Sequence, residues 1–131
     1  MSLAARLLMA TGVGHTVVGL LLFREPLALI LRDGVLNSIH YPQFDRSAAF
    51  WFLLFSPVLF ALGQLTDHAV RRGDVATLRI IGWYLLAIGV VGAIIMPLSG
   101  FWLVIAIAPL VLRAARQNSA SPGTATVLPA H

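Results

Sequence analysis

The sequence predicts an all-α membrane protein: an antiparallel four-transmembrane-helix bundle with one interfacial amphipathic helix in the first outer loop. Residues 80–112 contain no charged side chain. As one straight helix this stretch would be about 50 Å long, against roughly 30 Å of bilayer hydrocarbon. Pro97, Ser99 and Gly100 lie near its middle and are residues that a turn needs. The stretch is therefore predicted to be a transmembrane helical hairpin.

The composition supports this class and excludes others. Hydrophobic residues make up 59% of the 131 residues and charged residues 11%, whereas a soluble domain carries about a quarter charged residues. The net charge of +4 comes from basic residues that flank apolar spans singly or in one pair, so no nucleic-acid partner is expected. The chain has no cysteine, which excludes thiolate nucleophiles and cysteine-bound metals. No metal and no cofactor are expected.

Four membrane spans and a tail are predicted along the chain. The transmembrane domain covers residues 1–116, and its helices lie at about 3–23, 47–68, 77–96 and 99–116. The first run has no small-x-small cleavage site before Arg24, so it is expected to be retained rather than removed as a signal peptide. The fourth run is short, and Arg113 and Arg116 are expected to snorkel from its end to the interface. Residues 117–131, rich in Ser, Ala, Pro and Thr, are expected to form a disordered cytoplasmic tail.

The first outer loop is predicted to contain the interfacial helix, at about residues 26–38. Pro26 suits a first helical position, although Gly34 weakens the helix. Leu27, Ile30 and Leu31 fall on one face, while Arg32 and Asp33 fall on another. This pattern is typical of a helix that lies on the outer leaflet or caps the bundle.

The arginines predict the orientation of the spans. All nine basic residues are arginines, a bias that suggests a GC-rich bacterial genome. Six of them fall on one side of the predicted spans and three on the other: Arg6, Arg71, Arg72, Arg79, Arg113 and Arg116 against Arg24, Arg32 and Arg46. Each of the latter three has an acidic neighbour in sequence. The positive-inside rule then predicts a multi-pass inner-membrane protein with both termini cytoplasmic.

His15 is the candidate catalytic residue, because it is the only ionisable side chain well inside a predicted span. An imidazole is costly when it faces lipid, so it is expected to face the bundle interior and to be hydrogen-bonded. Two roles remain open: a structural hydrogen bond to Ser56 or Gln64, and a proton relay or general base. A metal or haem ligand is disfavoured, since no second histidine lies at matching depth or four residues further on.

Further polar and aromatic residues complete the candidate ligand-binding set. Ser56 and Gln64 fall on one face of the second span together with Asp67, which is expected to be solvated at the cytoplasmic boundary. His40, Tyr41, Asp45 and Arg46 gather at the outer boundary, close to Trp51 and, from the hairpin, Trp102. The tryptophans are typical interface anchors. An outward-facing acid–base cluster over a membrane pocket is the alternative interpretation.

Small residues form stripes that predict close helix contacts. Gly12, Thr16 and Gly19 are spaced along the first span, and Gly82, Gly89 and Gly92 along the third. Such stripes permit close backbone approach in lipid, so we expect the first and third spans to pack together, with Gly89 near residues 12–19. The alternative is that the missing side-chain volume leaves a ligand cavity.

Five blocks of the sequence resemble a known family: Thr11–Gly19, Ala48–Phe52, Asp67–Gly73, Gly82–Trp83 and Met96–Trp102. They resemble successive blocks of small bacterial four-helix membrane proteins that are classed as a domain of unknown function and are similar in layout to DoxX-like proteins. The resemblance runs from about Thr11 to Leu112. It implies a four-helix inner-membrane protein and supplies no reaction. DoxX-like relatives imply respiratory or quinone-associated accessory roles, for which no residue here can be carried over.

Two functional hypotheses follow. The first is a binding or accessory protein that holds a lipid-like molecule or docks onto a larger membrane complex. Its expected partners are the lipid bilayer, a hydrophobic small molecule, and a second copy or a larger assembly. The second is a membrane-embedded isomerase or cyclase acting on an isoprenoid, sterol-like or quinone substrate, with His15 as acid/base and aromatic rings stabilising positive charge. A cavity that reaches His15 and holds a second polar group would favour the enzyme.

Overall fold

A computed structural model describes residues 1–120, which form five α-helices and no β-strand. The helices are α1 (Leu3–Leu22), α2 (Arg24–Arg32), α3 (Phe44–Arg72), α4 (Val75–Ile95) and α5 (Phe101–Ala120). The predicted all-α class is confirmed. By length and composition, α1, α3 and α4 could each cross a membrane. These three helices support a membrane-embedded protein.

The predicted fourth span corresponds to α5, which is not among those three helices. Its first twelve residues are uncharged and would extend about 18 Å, less than the hydrocarbon thickness. Arg113, Arg116 and Asn118 then lower the apolar character of its second half. The helix continues to Ala120, four residues into the stretch predicted to be a tail, and residues 121–131 lie outside the described part of the chain.

The predicted interfacial helix corresponds to α2, which is shorter than predicted because Gly34 ends it. Gly34 has φ +92°, a conformation that glycine adopts without the steric penalty of a Cβ. The Gly34 amide donates to the Leu31 carbonyl at 3.3 Å and the Val35 amide to the Ile30 carbonyl at 3.0 Å, the two bonds of a Schellman motif. The chain therefore leaves the helix after Arg32 rather than after Ser38. All nine residues of α2 stay at least partly exposed.

A second Schellman motif joins α3 to α4. Gly73, at φ +65°, follows the last residue of α3. The Asp74 amide donates to the Ala69 carbonyl at 2.9 Å, and the Gly73 amide to the Val70 carbonyl at 3.2 Å. Asp74 then caps α4, since its carboxylate accepts from the Thr77 amide at 3.0 Å and from the Thr77 hydroxyl at 2.6 Å. One short turn thus ends one helix and starts the next.

The chain divides into two compact units, residues 5–64 and residues 1–4 with residues from 65 onward. In the first unit, α1 packs along α3 between Phe52 and Gly63. A Cβ on Gly12 would lie 2.9 Å from the Ser56 carbonyl oxygen, and one on Gly63 would lie 2.9 Å from the Ala5 carbonyl oxygen. The contacts pair in reverse order along the two helices. The small residues of α1 therefore serve its contact with α3.

In the second unit, α4 and α5 form a helical hairpin. A Cβ on Gly82 would lie 2.6 Å from Leu112, and one on Gly89 would lie 2.8 Å from Ile105. The ring of Phe101 lies directly against Gly92. The predicted close helix contact at Gly89 is confirmed, but its predicted partner is wrong. The neighbour belongs to α5 rather than to residues 12–19. The short connection after α4 brings α5 back along the glycine face, and side chains of α5 fill the space there.

Candidate functional site

His15 and Ser56 meet between α1 and α3. His15 Nδ1 lies 3.1 Å from Ser56 Oγ, so one of the two predicted partners of the imidazole is present. Ser56 is 3% exposed, whereas His15 is half-buried. Which atom donates depends on the histidine tautomer, since both a neutral imidazole and a hydroxyl can donate and accept. The bond joins the two helices about one turn along α1 from Gly12, where the two backbones approach closely.

Aromatic rings hold the imidazole of His15 in place. It stacks on Phe52 with ring centroids 3.8 Å apart and an angle of 12° between the planes. Phe55 lies 6.4 Å away on the same helix, and Phe23 contacts Phe52 from the end of α1 at 5.3 Å. Phe52 lies one turn before Ser56 on α3, so a single face of that helix supplies both the stacking ring and the hydrogen-bond partner. The ring orientation of His15 is thereby restricted.

A groove of about 320 Å³ lies beside this pair, and we call it the α1–α3 groove. It is lined by uncharged residues: Gly12, Val13, Thr16, Ser56, Pro57, Phe60, Ala61 and Gln64. Ser56 lines the groove, whereas its hydrogen-bond partner His15 is not among the lining residues. An apolar groove with a few polar groups is the usual form of a small-molecule site. The groove contains polar groups, but it reaches the partner of the histidine rather than the histidine itself, so the condition that would favour the enzyme is met only in part.

Gln64 is the polar residue of the groove with an unused side chain. It is exposed, and its amide makes no hydrogen bond to any of residues 1–120. The Thr16 hydroxyl, in contrast, donates to the Gly12 carbonyl at 3.1 Å, and Ser56 is engaged with His15. Gln64 was the alternative predicted partner of His15. The structure instead leaves its amide free at one end of the groove.

The candidates around the loop between α2 and α3 do not form an acid–base cluster. His40 and Gln43 bond each other, with the His40 amide donating to Gln43 Oε1 at 2.8 Å and the Gln43 amide donating to the His40 carbonyl at 2.7 Å. Tyr41 is 89% exposed and packs edge-on against Phe44, and Asp45 is exposed. The loop thus presents these side chains to the surroundings, and a catalytic role for them remains an untested prediction.

The two tryptophans belong to different units and are both well exposed. Trp51, on α3, packs edge-on against Phe50 at 5.4 Å. Trp102, at the start of α5, donates from Nε1 to the Pro97 carbonyl at 2.8 Å and so closes the turn between α4 and α5. Both environments suit the interface-anchor interpretation, in which one edge of the indole is polar and the rest is apolar.

Arg46, which the sequence places in the polar group with His40, Tyr41 and Asp45, is buried in the first turn of α3. Arg46 Nη1 donates to Asp33 Oδ2 at 2.7 Å and to the Ser38 carbonyl at 2.7 Å, and the Arg46 side chain is 10% exposed. In the sequence, the acidic neighbour of Arg46 is Asp45, and Asp33 adjoins Arg32 instead. The positive-φ residues after α2 fold the loop back, and this brings Asp33 and Ser38 to the first turn of α3.

Asp67 is the second departure from expectation, because it is buried rather than solvated. Its residue exposure is 4%. One carboxylate oxygen accepts from the Ser2 amide at 3.0 Å, and the other forms an ion pair with Arg71 one turn further along α3. The first residues of the chain cover the carboxylate. No local pattern in the sequence indicates that contact, which joins positions 65 residues apart.

A second groove, of about 450 Å³, lies along the end of α4 and the start of α5. Its lining side chains, from Ala87 to Met96 and Phe101, are all apolar. It can accept a hydrocarbon chain but offers no group that would orient a ligand. Within residues 1–120, no group of three or more histidines and acidic residues could hold a metal ion.

One family matches the chain over residues 1–118, and its description is "Family of unknown function (DUF6463)". This agrees with the predicted resemblance to an uncharacterised domain; the DoxX-like layout remains a resemblance. No curated protein and no solved structure matches the chain.

Proposed function

The chain belongs to the family of unknown function DUF6463, and we propose that it is a four-span inner-membrane protein that binds a lipid-like molecule in the α1–α3 groove. The observation that carries the binding proposal is the groove itself, where an apolar surface meets the polar groups of Ser56 and Gln64. An accessory role in a larger membrane complex, or in a pair of copies, is compatible with such a site.

The exposed apolar surface supports residence in a membrane. In the most apolar stretches of α1 and α3, 22% of the residues are buried, and the remainder includes large side chains such as Leu21 and Phe55. A water-soluble protein rarely exposes apolar surface on this scale. In a bilayer, lipid chains would cover this surface and keep it out of contact with water.

The fourth span is proposed from the way α5 accompanies α4. Leu112 lies against Gly82 and Phe101 against Gly92, so the two helices run side by side for about ten residues. Near the end of α5, the Asn118 side chain donates to the Val70 carbonyl at 3.4 Å, at the last turns of α3. If α4 crosses the bilayer, this contact favours an α5 that returns to the side where α3 ends. The arginine distribution then favours cytoplasmic termini.

Single-cysteine labelling tests this topology, and the absence of native cysteine makes the experiment clean. We expect Leu36→Cys and Leu98→Cys to react with an impermeant reagent from outside, and Ala76→Cys and Ala120→Cys only after the membrane is opened. Equal labelling of positions 98 and 120 from one side would overturn the fourth span. Equal labelling of positions 36 and 76 would overturn the whole arrangement.

Native mass spectrometry in a gentle detergent, followed by lipid extraction, tests the binding function. We expect a retained lipid mass on the natural protein. Ala61→Phe would place a ring in the groove and remove that mass, whereas Ala48→Phe, the same change at another exposed position of α3, would not. The same spectra report whether one or two copies are present. Lipid retention that is equal in the two variants would contradict a ligand in this groove.

A second candidate is a membrane-embedded isomerase or cyclase acting on an isoprenoid, sterol-like or quinone substrate. One observation favours it: Ser56 lines the groove and is hydrogen-bonded to His15. A histidine acting through a hydroxyl could move a proton to or from a bound molecule. The binding function is preferred because the groove does not reach the imidazole. Loss of turnover in His15→Gln, with the fold and ligand retained, would reverse this preference.

A further inference from the structure

We infer that the α1–α3 groove takes a neutral amphiphile whose hydroxyl group hydrogen-bonds the side-chain amide of Gln64. This inference rests on the proposed binding function and adds the chemical class and the orientation of the ligand. It depends on three features of the groove: the free amide of Gln64, the lack of charge in its lining, and the apolar stretch between Gln64 and Ser56.

The free amide of Gln64 indicates a hydrogen-bonding ligand. A glutamine side chain offers two N–H donors and one carbonyl acceptor. Within residues 1–120 none of them is used, although Gln64 lies in the apolar stretch of α3 and is exposed. An amide that faces hydrocarbon without a partner is costly, so a polar group from another molecule stabilises it.

The lining of the groove indicates that this polar group is neutral. All eight residues that line the groove are uncharged. A phosphate or an ammonium group would lose hydration on entering and would meet no opposite charge there, which costs several kcal/mol for an ion. A hydroxyl loses much less hydration and regains one or two hydrogen bonds from the amide.

The spacing of the polar groups orients the ligand. Ser56 and Gln64 are eight residues apart on α3, about 12 Å along the helix axis. The hydroxyls of Ser56 and Thr16 are already bonded within the protein, so Gln64 is the group available to the ligand head. Pro57, Phe60 and Ala61 lie between the two ends and provide an apolar surface. The ligand body therefore extends from Gln64 toward Ser56.

Three lipid probes of matched chain length test this inference by titration in native mass spectrometry. They are dioleoylglycerol, which carries one hydroxyl, its analogue with hydrogen in place of that hydroxyl, and dioleoylphosphatidylglycerol, which is anionic. For the natural protein we expect dioleoylglycerol to bind about fivefold more tightly than the analogue, the usual effect of one hydrogen bond. Phosphatidylglycerol is expected to bind more weakly than dioleoylglycerol.

Replacement of the amide should remove the preference. Gln64→Leu and Gln64→Met, which is closer in shape, are each expected to bind dioleoylglycerol and its analogue equally, at the level of the analogue on the natural protein. Both variants are first compared with the natural protein by thermal melting. A hydroxyl preference that persists in both variants would overturn the role of Gln64, and tighter binding of phosphatidylglycerol would overturn the neutral head.

Three further outcomes separate this inference from the proposed function. If the Gln64 variants lose a dimer seen with the natural protein while lipid retention is unchanged, the amide pairs with a second copy and the inference is wrong. If Ala61→Phe leaves the binding of all three probes unchanged, the groove holds no lipid and the proposed function fails as well. Groove-dependent binding without a hydroxyl preference overturns the inference alone.

Discussion

Arg46 and Asp33 form an ion pair across the loop between α2 and α3, with Arg46 Nη1 2.7 Å from Asp33 Oδ2. The same nitrogen donates to the carbonyl of Ser38, a residue that is 5% exposed. The two partners of the pair are unequal, because the Arg46 side chain is 10% exposed and that of Asp33 is 44% exposed. Arg46 therefore connects the start of α3 to the loop backbone, while Asp33 remains accessible to water.

This inequality predicts different costs for removing each partner. Arg46→Met leaves the buried Ser38 carbonyl without that donor, at a cost of about 1–3 kcal/mol in the free energy of unfolding. Asp33→Asn keeps an acceptor oxygen and removes a half-exposed charge, at a cost below about 1 kcal/mol because solvent screens the pair. Thermal melting in detergent would compare the two variants. Equal losses would mean that the ion pair, rather than the bond to Ser38, stabilises the loop.

Replacement of His15 separates its structural role from a chemical one. His15→Gln can still bond Ser56, so it is expected to fold nearly normally, whereas His15→Leu leaves that buried hydroxyl unpaired at a cost of roughly 1–2 kcal/mol. Melting in detergent measures both. In a Ser56→Ala background the difference between the two variants should shrink, because the hydroxyl is gone. If Gln fully supports a cellular phenotype or a turnover, the enzyme hypothesis loses its base.

Gly89→Leu tests the hairpin contact between α4 and α5. Even a Cβ at this position would lie 3.1 Å from the backbone nitrogen of Ile105, so a leucine side chain would separate the helices or distort them. Overpacking of this kind costs on the order of 1–3 kcal/mol. Gly14→Leu is the matched control, since a Cβ on Gly14 meets nothing within 4 Å. A Gly89 variant that melts like the control would contradict the close contact.

We expect Asp74 to make the stability of the protein depend on pH. The hydroxyl and then the backbone amide of Thr77 donate to its carboxylate and lower the pKa of Asp74 below its ordinary value. A group whose pKa is lower in the folded state stabilises that state above its ordinary pKa, and this contribution disappears as the pH falls through the lowered pKa. The stability of the natural protein should therefore fall with acid over that range, below about pH 4.

Asp74→Asn is the control for this prediction, because asparagine also caps a helix but does not titrate. Melting temperatures of both proteins would be measured from pH 7 to pH 3. We expect the advantage of the natural protein over Asp74→Asn to decrease as the pH falls through the acid range. Parallel melting curves at every pH would contradict a contribution from the carboxylate.

The sequence by itself determined features that depend on a few neighbouring residues. The charge-free run around Pro97 predicted two helices and a turn, and α4 and α5 are joined there. Gly34 weakened the predicted interfacial helix, and α2 indeed ends just before it. His15 in an apolar span demanded a polar partner, which reduced the choice to Ser56 or Gln64. Each inference follows from local geometry or from the cost of an unpaired polar group.

Only the tertiary structure decided which distant groups meet. The glycine faces of α1 and α4 could be identified in the sequence. A face of small residues can pack against any of several helices, and the connections between helices determine which helix packs there. Asp67 accepts a hydrogen bond from the Ser2 amide, and Arg46 donates one to Asp33, because the chain folds back over both side chains. Ser56 rather than Gln64 reached His15, which left the Gln64 amide free in the groove. Periodicity specifies the face of a side chain, whereas its partner depends on the approach of a second segment in three dimensions.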